Sequence, residues 1–255
     1  RRQRQMCIRD RLYIGVEEPQ GSACEKKKRF SGRIAEIRYF CPKPFAMRRI
    51  TIFCLLLLGT ACSGKHYTPE AGDLLFQVTP GNAFTNAITA VTDGRQGIPF
   101  SHVAMVVPTN GRIMVLEAVP EAGVRLLPLD DFLDNSARTD GRPLVMAARL
   151  RDRRPVEDAC RRAMTLLGSP YDEAFLPGND AIYCSELIAA TFLDENGEPL
   201  FASRPMNFRD STGQIAPYWQ EHFARLGMPV PEGVPGTNPG ELSKDPALVA
   251  VYSYF

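Results

Sequence analysis

Between residues 72 and 255 short apolar runs alternate with turn residues, and the period of each run separates strands from helices. Residues 74–78 read as a first strand, introduced by Gly72-Asp73, and residues 82–91 as a helix with small apolar residues on one side. Two strands follow, 102–107 and 113–119, around Thr109-Asn110-Gly111-Arg112. Asn-Gly between alternating apolar runs is the strongest short-range hairpin signal, because both turn residues must adopt positive φ. A two-residue turn at Asn110-Gly111 fixes the register: paired positions sum to 221, so Ala104 faces Glu117 and His102 faces Val119. Further strands are expected at 124–129, 144–150 and 247–255. Pro155 suits the first turn of a helix over 156–167, closed by Gly168-Ser169-Pro170. A second helix over 184–193 has Leu187, Ile188, Thr191 and Phe192 as its apolar side. The stretch PYWQEHFARLG is polar and helix-like, and the tail from Gly197 is rich in Pro and Gly. Strands with segregated helices predict an α+β architecture.

Charge divides the chain. Residues 1–61 hold 14 Lys and Arg against 5 Asp and Glu, whereas residues 62–255 hold 16 against 24. An acidic body repels nucleic acid, so no nucleic-acid partner is expected. Residues 1–11, RRQRQMCIRDR, carry no apolar period and resemble a translated sequencing adaptor. Residues 1–46 are therefore read as a non-native or upstream extension, the alternative being a genuine basic, disordered one. From Met47, two arginines precede the apolar run ITIFCLLLL and the small residues Gly59-Thr60-Ala61, the order of a secretory signal over 47–61. Nine apolar residues are too few for a spanning helix, which needs about 20. The ending LGTAC resembles a bacterial lipobox, with Cys62 as the lipidated first mature residue and Gly59 where an aliphatic is usual. Simple cleavage after Ala61 is the alternative. Lipid on Cys62, followed by Ser63, implies anchoring in the cell envelope, on the periplasmic face of the outer membrane. Residues 62–71 then form a tether and 72–255 the folded domain.

Of the seven cysteines only Cys160 and Cys184 remain in that domain, too few for a disulfide scaffold, although a bridge between the two stays open. Cys184 falls where the strand-like Ala181-Ile182-Tyr183 turns into a helix. Unpaired N–H groups and the helix dipole favour a thiolate there. The competing reading is a buried structural thiol. A cysteine nucleophile needs an imidazole, and His66, His102 and His222 are the three available. His66 lies in the tether and His222 in the polar stretch, which leaves His102, opening a strand. Glu117 completes the set on geometry: in the hairpin register it is a diagonal neighbour of His102 on one face, within reach of long side chains. A carboxylate inside IMVLEAV also needs a partner if buried. Its plain alternative is a solvated residue on a half-exposed sheet. Asp172, Glu173 and Asp180 invite a metal reading but suit surface acids better, and the histidine and cysteine spacing is not that of zinc. No metal and no cofactor is expected.

GDLLFQ at 72–77, FSHVAMVV at 100–107, VLEAV at 115–119, YDEAF and IYCSEL at 182–187 resemble the permuted NlpC-type papain-like hydrolases, as does the tail PEGVPGTNPG. The order His, Glu, Cys is the permuted one. The resemblance implies a circularly permuted papain-like fold, an antiparallel sheet with helices packed against it. It implies Cys184 as nucleophile, His102 as base, Glu117 as orienting carboxylate and Tyr183 lining the site. The activity implied is amide hydrolysis of a peptidoglycan peptide through an acyl-enzyme. Action on lipid acyl groups with the same residues, or a non-catalytic binding module, are the alternatives.

Overall fold

The computed structural model describes residues 67–255. The expectations for residues 1–46, the signal over 47–61 and Cys62 lie outside the described residues. One six-stranded antiparallel sheet carries the fold: β1 (Leu74–Gln77), β2 (His102–Thr109), β3 (Arg112–Val119), β4 (Gly123–Leu127), β7 (Val145–Leu150) and β10 (Leu248–Ser253). Its order is β10-β7-β1-β2-β3-β4. Two-residue ribbons, β5 (Arg138–Thr139) with β6 (Arg142–Pro143) and β8 (Arg204–Pro205) with β9 (Pro235–Gly236), decorate it. The helices are α1 (Ala83–Thr89), α2 (Leu129–Asp134), α3 (Val156–Thr165), α4 (Cys184–Thr191), α5 (Pro217–Arg225) and α6 (Pro239–Ser243).

The β2–β3 register is the one the turn dictates, with Met105 opposite Leu116 and Thr109 opposite Arg112. Asn110 and Gly111 both adopt positive φ, 50° and 74°, so the turn twists with its strands. β1 is central, and strict alternation sorts its side chains to two faces. Leu74 and Phe76 join Val103, Met105 and Leu116 in a core beneath α3 and α4, built with Ala159, Leu187 and Ile188. Leu75, Ala104, Val106 and Val115 face the other way, onto Phe132 of α2. Side chains such as Phe76, Met105 and Leu187 have no exposed surface, and each contributes about 1.5–3 kcal/mol by leaving water.

Predicted ends shift by a few residues. The helix expected over 156–167 stops at Thr165, and the one expected over 184–193 at Thr191, where the Thr191 hydroxyl turns back onto the Leu187 carbonyl at 2.8 Å. The strand expected over 124–129 gives way at Pro128, whose fixed φ caps the unpredicted α2. Cys160 and Cys184 are both free thiols. Tyr67, in the stretch read as tether, stacks on Tyr252 with ring centres 5.4 Å apart and donates a 2.8 Å hydrogen bond to buried Asp73. Arg149 clamps both oxygens of the same carboxylate at 2.7 and 2.8 Å, so this segment is fastened to the sheet.

Candidate active site

His102 begins β2 and Glu117 lies near the end of β3, so the hairpin sets both side chains on one face. Their closest atoms, His102 Nε2 and Glu117 Oε2, are 2.7 Å apart, and both residues are buried. The geometric expectation for this pair holds. Sequence reasoning missed what engages the other carboxylate oxygen. Arg125 of β4 stands directly across from Glu117 and donates to its Oε1 from Nε at 2.9 Å and from Nη2 at 2.8 Å. The signal was available in the alternation of Gly123-Val124-Arg125-Leu126, but only once the turn from Val119 to Gly123 had fixed the β3–β4 register.

Cys184 is the first residue of α4, which packs on β2 and β3. The first intrahelical bond runs from Leu187 N–H to Tyr183 O, leaving the preceding N–H groups free of helical acceptors. Glu186 closes the turn by accepting from the Tyr183 N–H at 3.4 Å. Burial, reinforced by Asp172, pushes the Glu186 carboxyl up to about 7 despite that bond. Glu117 takes Nε2, and the Cys184 side chain is near enough to the imidazole to influence its titration. Burial alone would lower the His102 pKa. The hydrogen bonds to Cys184 and Glu117 and the negative charge of both outweigh it, pushing the value up to about 10. Burial likewise disfavours the Glu117 carboxylate, but His102 and Arg125 together hold it below the ordinary range.

Tyr183 lines the cleft beside Cys184, and its hydroxyl accepts the Thr237 N–H at 3.0 Å. That bond ties Thr237 to Tyr183 in the cleft wall, which Asn238 and Pro239 also line. Gly236 permits this close approach, since a Cβ would come within 2.7 Å of the Met206 side chain and 3.0 Å of the Tyr183 hydroxyl. Asp172 corrects an expectation: it is buried, not a surface acid, and accepts the Ala174 and Leu176 N–H groups at 2.9 Å each. It thereby shapes the loop that sets Tyr171 against Cys184. Burial, then the charge of Cys184, raises the Tyr171 phenol well above its ordinary value, so it remains a proton donor. Glu173 and Asp180 are exposed as expected. His222 is committed elsewhere, its Nε2 hydrogen-bonded to the Glu173 carbonyl at 2.7 Å.

A buried His–carboxylate pair beside a cysteine at a helix N-terminus is the arrangement of a papain-like hydrolase, here in the order His, Glu, Cys. The model of the permuted papain-like amidase enzymes, the YaeF/YiiX family, matches residues 68–252. The chain belongs to this family. It is accordingly an α+β enzyme of the papain-like amidase class. YiiX of Escherichia coli, described as uncharacterized, is 27% identical over 207 residues, which cover 80% of this chain and 94% of YiiX. A crystal structure of YiiX from Escherichia coli, described as a metalloprotein, has the same fold. It aligns with a TM-score of 0.59 at 22% identity, covering 73% of this chain and 98% of that one. Among the described residues of this family member, no three His, Cys, Asp or Glu side chains converge as a metal set. Asp172 has both carboxylate oxygens taken by backbone N–H groups. The described residues therefore do not make a metal site.

Proposed function

We propose that this amidase cleaves peptide amide bonds of the cell wall, with Cys184 as nucleophile, His102 as general base and acid, and Glu117 as the carboxylate that orients His102. The observation that supports this reading is the buried His102–Glu117 pair, joined at 2.7 Å through Nε2, together with Cys184 at the start of α4, which packs on the strands that carry them. Orientation of this kind fixes the tautomer and stabilises the imidazolium.

In the first half-reaction the Cys184 sulfur attacks the amide carbonyl carbon, forming an S–C bond while the oxygen takes up the π electrons. The free N–H at the start of α4 and the Tyr171 hydroxyl are the donors offered to that oxyanion. Collapse breaks the C–N bond, and the imidazolium proton of His102 passes to the departing amine. In the second half-reaction water enters, His102 takes its proton, and the hydroxide oxygen adds to the thioester carbon. Loss of the Cys184 thiolate releases the carboxylic acid.

A second reading, hydrolysis or transfer of lipid acyl groups by the same residues, is favoured by the apolar lining beside Cys184, where Phe175, Phe208, Met206 and Trp219 meet. Export and a lipid on Cys62, as the sequence suggests, would place either activity in the envelope. Acid-quenching the enzyme with cell envelopes and weighing the Cys184 peptide separates the readings. A muropeptide acyl adduct supports the first and a fatty acyl adduct the second. An unmodified Cys184 peptide leaves only a binding module and overturns both.

A further inference from the structure

The cleft beside Cys184 is lined by two residues with buried, unpartnered hydroxyls, Ser185 and Thr237, and Ser185 is the one adjoining the cysteine. Ser185, the residue after Cys184, has no exposed surface, and its Oγ is buried without a hydrogen-bond partner. A hydroxyl left so costs about 1–3 kcal/mol. It lines the cleft, whose walls are otherwise dominated by Ile88 and Val91 from α1 and its end, Phe175, Phe208 and Trp219. A mainly apolar slot with a few unpaired hydroxyls, here those of Ser185 and Thr237, has the form of a substrate subsite.

Which half of the substrate enters follows from the acid. The departing amine receives its proton from His102, so it lies beside that ring. Cys184 and Ser185 line the cleft and the His102 side chain does not. Its occupant therefore belongs to the acyl half. Size follows from volume. The cleft, open on one side, offers about 50 Å³, small beside the roughly 150 Å³ of a cavity known to hold benzene. Its walls are tied together by edge-on aromatic contacts, Phe175 to Trp219 at 5.7 Å and Phe208 to Trp219 at 5.2 Å, so widening it means breaking a packed cluster.

We propose that the cleft beside Cys184 is an acyl-side subsite that admits one small aliphatic side chain, of alanine to valine size, with Ser185 Oγ hydrogen-bonding the backbone of the residue that carries it. A charged side chain would lose its hydration among apolar walls with no counter-charge, and a long acyl chain would not fit. This inference rests on Cys184 being the nucleophile and chooses within that reading a peptide over a lipid.

The test uses the full chain and a series of acyl-aminoacyl chloromethyl ketones carrying Gly, Ala, Val, Lys or Glu, with decanoyl chloromethyl ketone beside them. Iodoacetamide, which needs no subsite, reports Cys184 reactivity. Modification at Cys184 is followed by mass spectrometry. Ala and Val probes are expected to react about tenfold or more faster than Lys, Glu and decanoyl probes, the discrimination typical of a shaped apolar pocket. Val91→Phe should lower the ratio of Val to Gly rates, a ratio that cancels any loss of folded protein. Ser185→Ala should slow all aminoacyl probes relative to iodoacetamide. Equal rates across side chains, or a faster decanoyl probe, overturn the subsite while leaving Cys184 in place. Failure of iodoacetamide to modify Cys184 overturns the nucleophile and the subsite with it.

Discussion

Glu117 and Arg125 are direct cross-strand partners on β3 and β4, and the arginine occupies the one carboxylate oxygen that His102 leaves free. The pair differs sharply in burial, the Glu117 side chain being 4% exposed and that of Arg125 43%. Solvent can reach the guanidinium, so its removal is tolerable to the fold, while the buried carboxylate loses a fixed partner.

Arg125→Met should leave a folded enzyme with a weakened orienting carboxylate. With the guanidinium gone, one of the groups lowering the Glu117 pKa is lost, and the acid limb of the kcat profile should move to higher pH. A loss of about tenfold in kcat, the equivalent of one pKa unit of differential interaction, is expected with KM little changed. Arg125→Lys should restore part of it. A variant with lowered kcat and an unmoved pH profile would make Arg125 a structural strut.

Glu117→Gln removes the charge while keeping the shape. The neutral amide cannot stabilise imidazolium, so kcat should fall about a hundredfold or more while far-ultraviolet circular dichroism stays native. Full activity in that variant would demote Glu117 to a packing role.

What could be read in advance depended on local chemistry. Asn110-Gly111 set its own turn and hence the His102–Glu117 geometry, because both residues accept the positive φ the hairpin requires. Cys184 was legible as a helix start because the apolar period changes at that point. Arg125, Tyr171 and Ser185 were not, since their roles come from tertiary placement. Arg125 needs a second turn to be known, Tyr171 is set by the buried Asp172 loop, and Ser185 differs from any helical serine only in lacking a partner. Asp172 misled for the same reason: a carboxylate satisfied by backbone N–H groups has the sequence of a surface acid.

Stability should depend on pH through His102. Its pKa in the fold is about 10 against an ordinary 6.5. A raised value means the folded state holds the proton more tightly, so this contribution is present in full below pH 6.5 and is lost as pH rises through 10. Urea midpoints should therefore fall over that interval. Cys160, also raised by burial, contributes a slope of the same sign. The difference between the parent and His102→Gln isolates the histidine. Parallel slopes in the two proteins would show that the proton on His102 is not linked to folding.

The sequence MRRITIFCLLLLGTAC motivates a prediction about processing. Expressed from Met47 in a Gram-negative host, the protein should carry lipid on Cys62 and partition with membranes. Cys62→Ala should yield a soluble or uncleaved form. A soluble periplasmic product beginning at an unmodified Cys62 would be simple signal cleavage instead.

Two thiols with nearly equal access give a test of the catalytic reading that needs no substrate. Cys184 is 6% exposed and Cys160 8%, so shielding does not distinguish them. Their surroundings do. Cys160 sits mid-helix in α3, and burial raises its pKa more than Arg153 and the Gly72 backbone lower it. Cys184 starts α4, whose first N–H groups have no helical acceptor, near His102, whose pKa Cys184 and Glu117 together raise to about 10. Alkylation at about pH 6 should label Cys184 far faster than Cys160, because the thiolate is the reacting species. His102→Ala should remove most of that advantage and leave the Cys160 rate as it was. Equal rates in the parent protein, or an unchanged Cys184 rate without His102, would dismiss the pair as a catalytic unit. The result would hold whatever the substrate is, since the reagent reads only the charge on sulfur and the path to it.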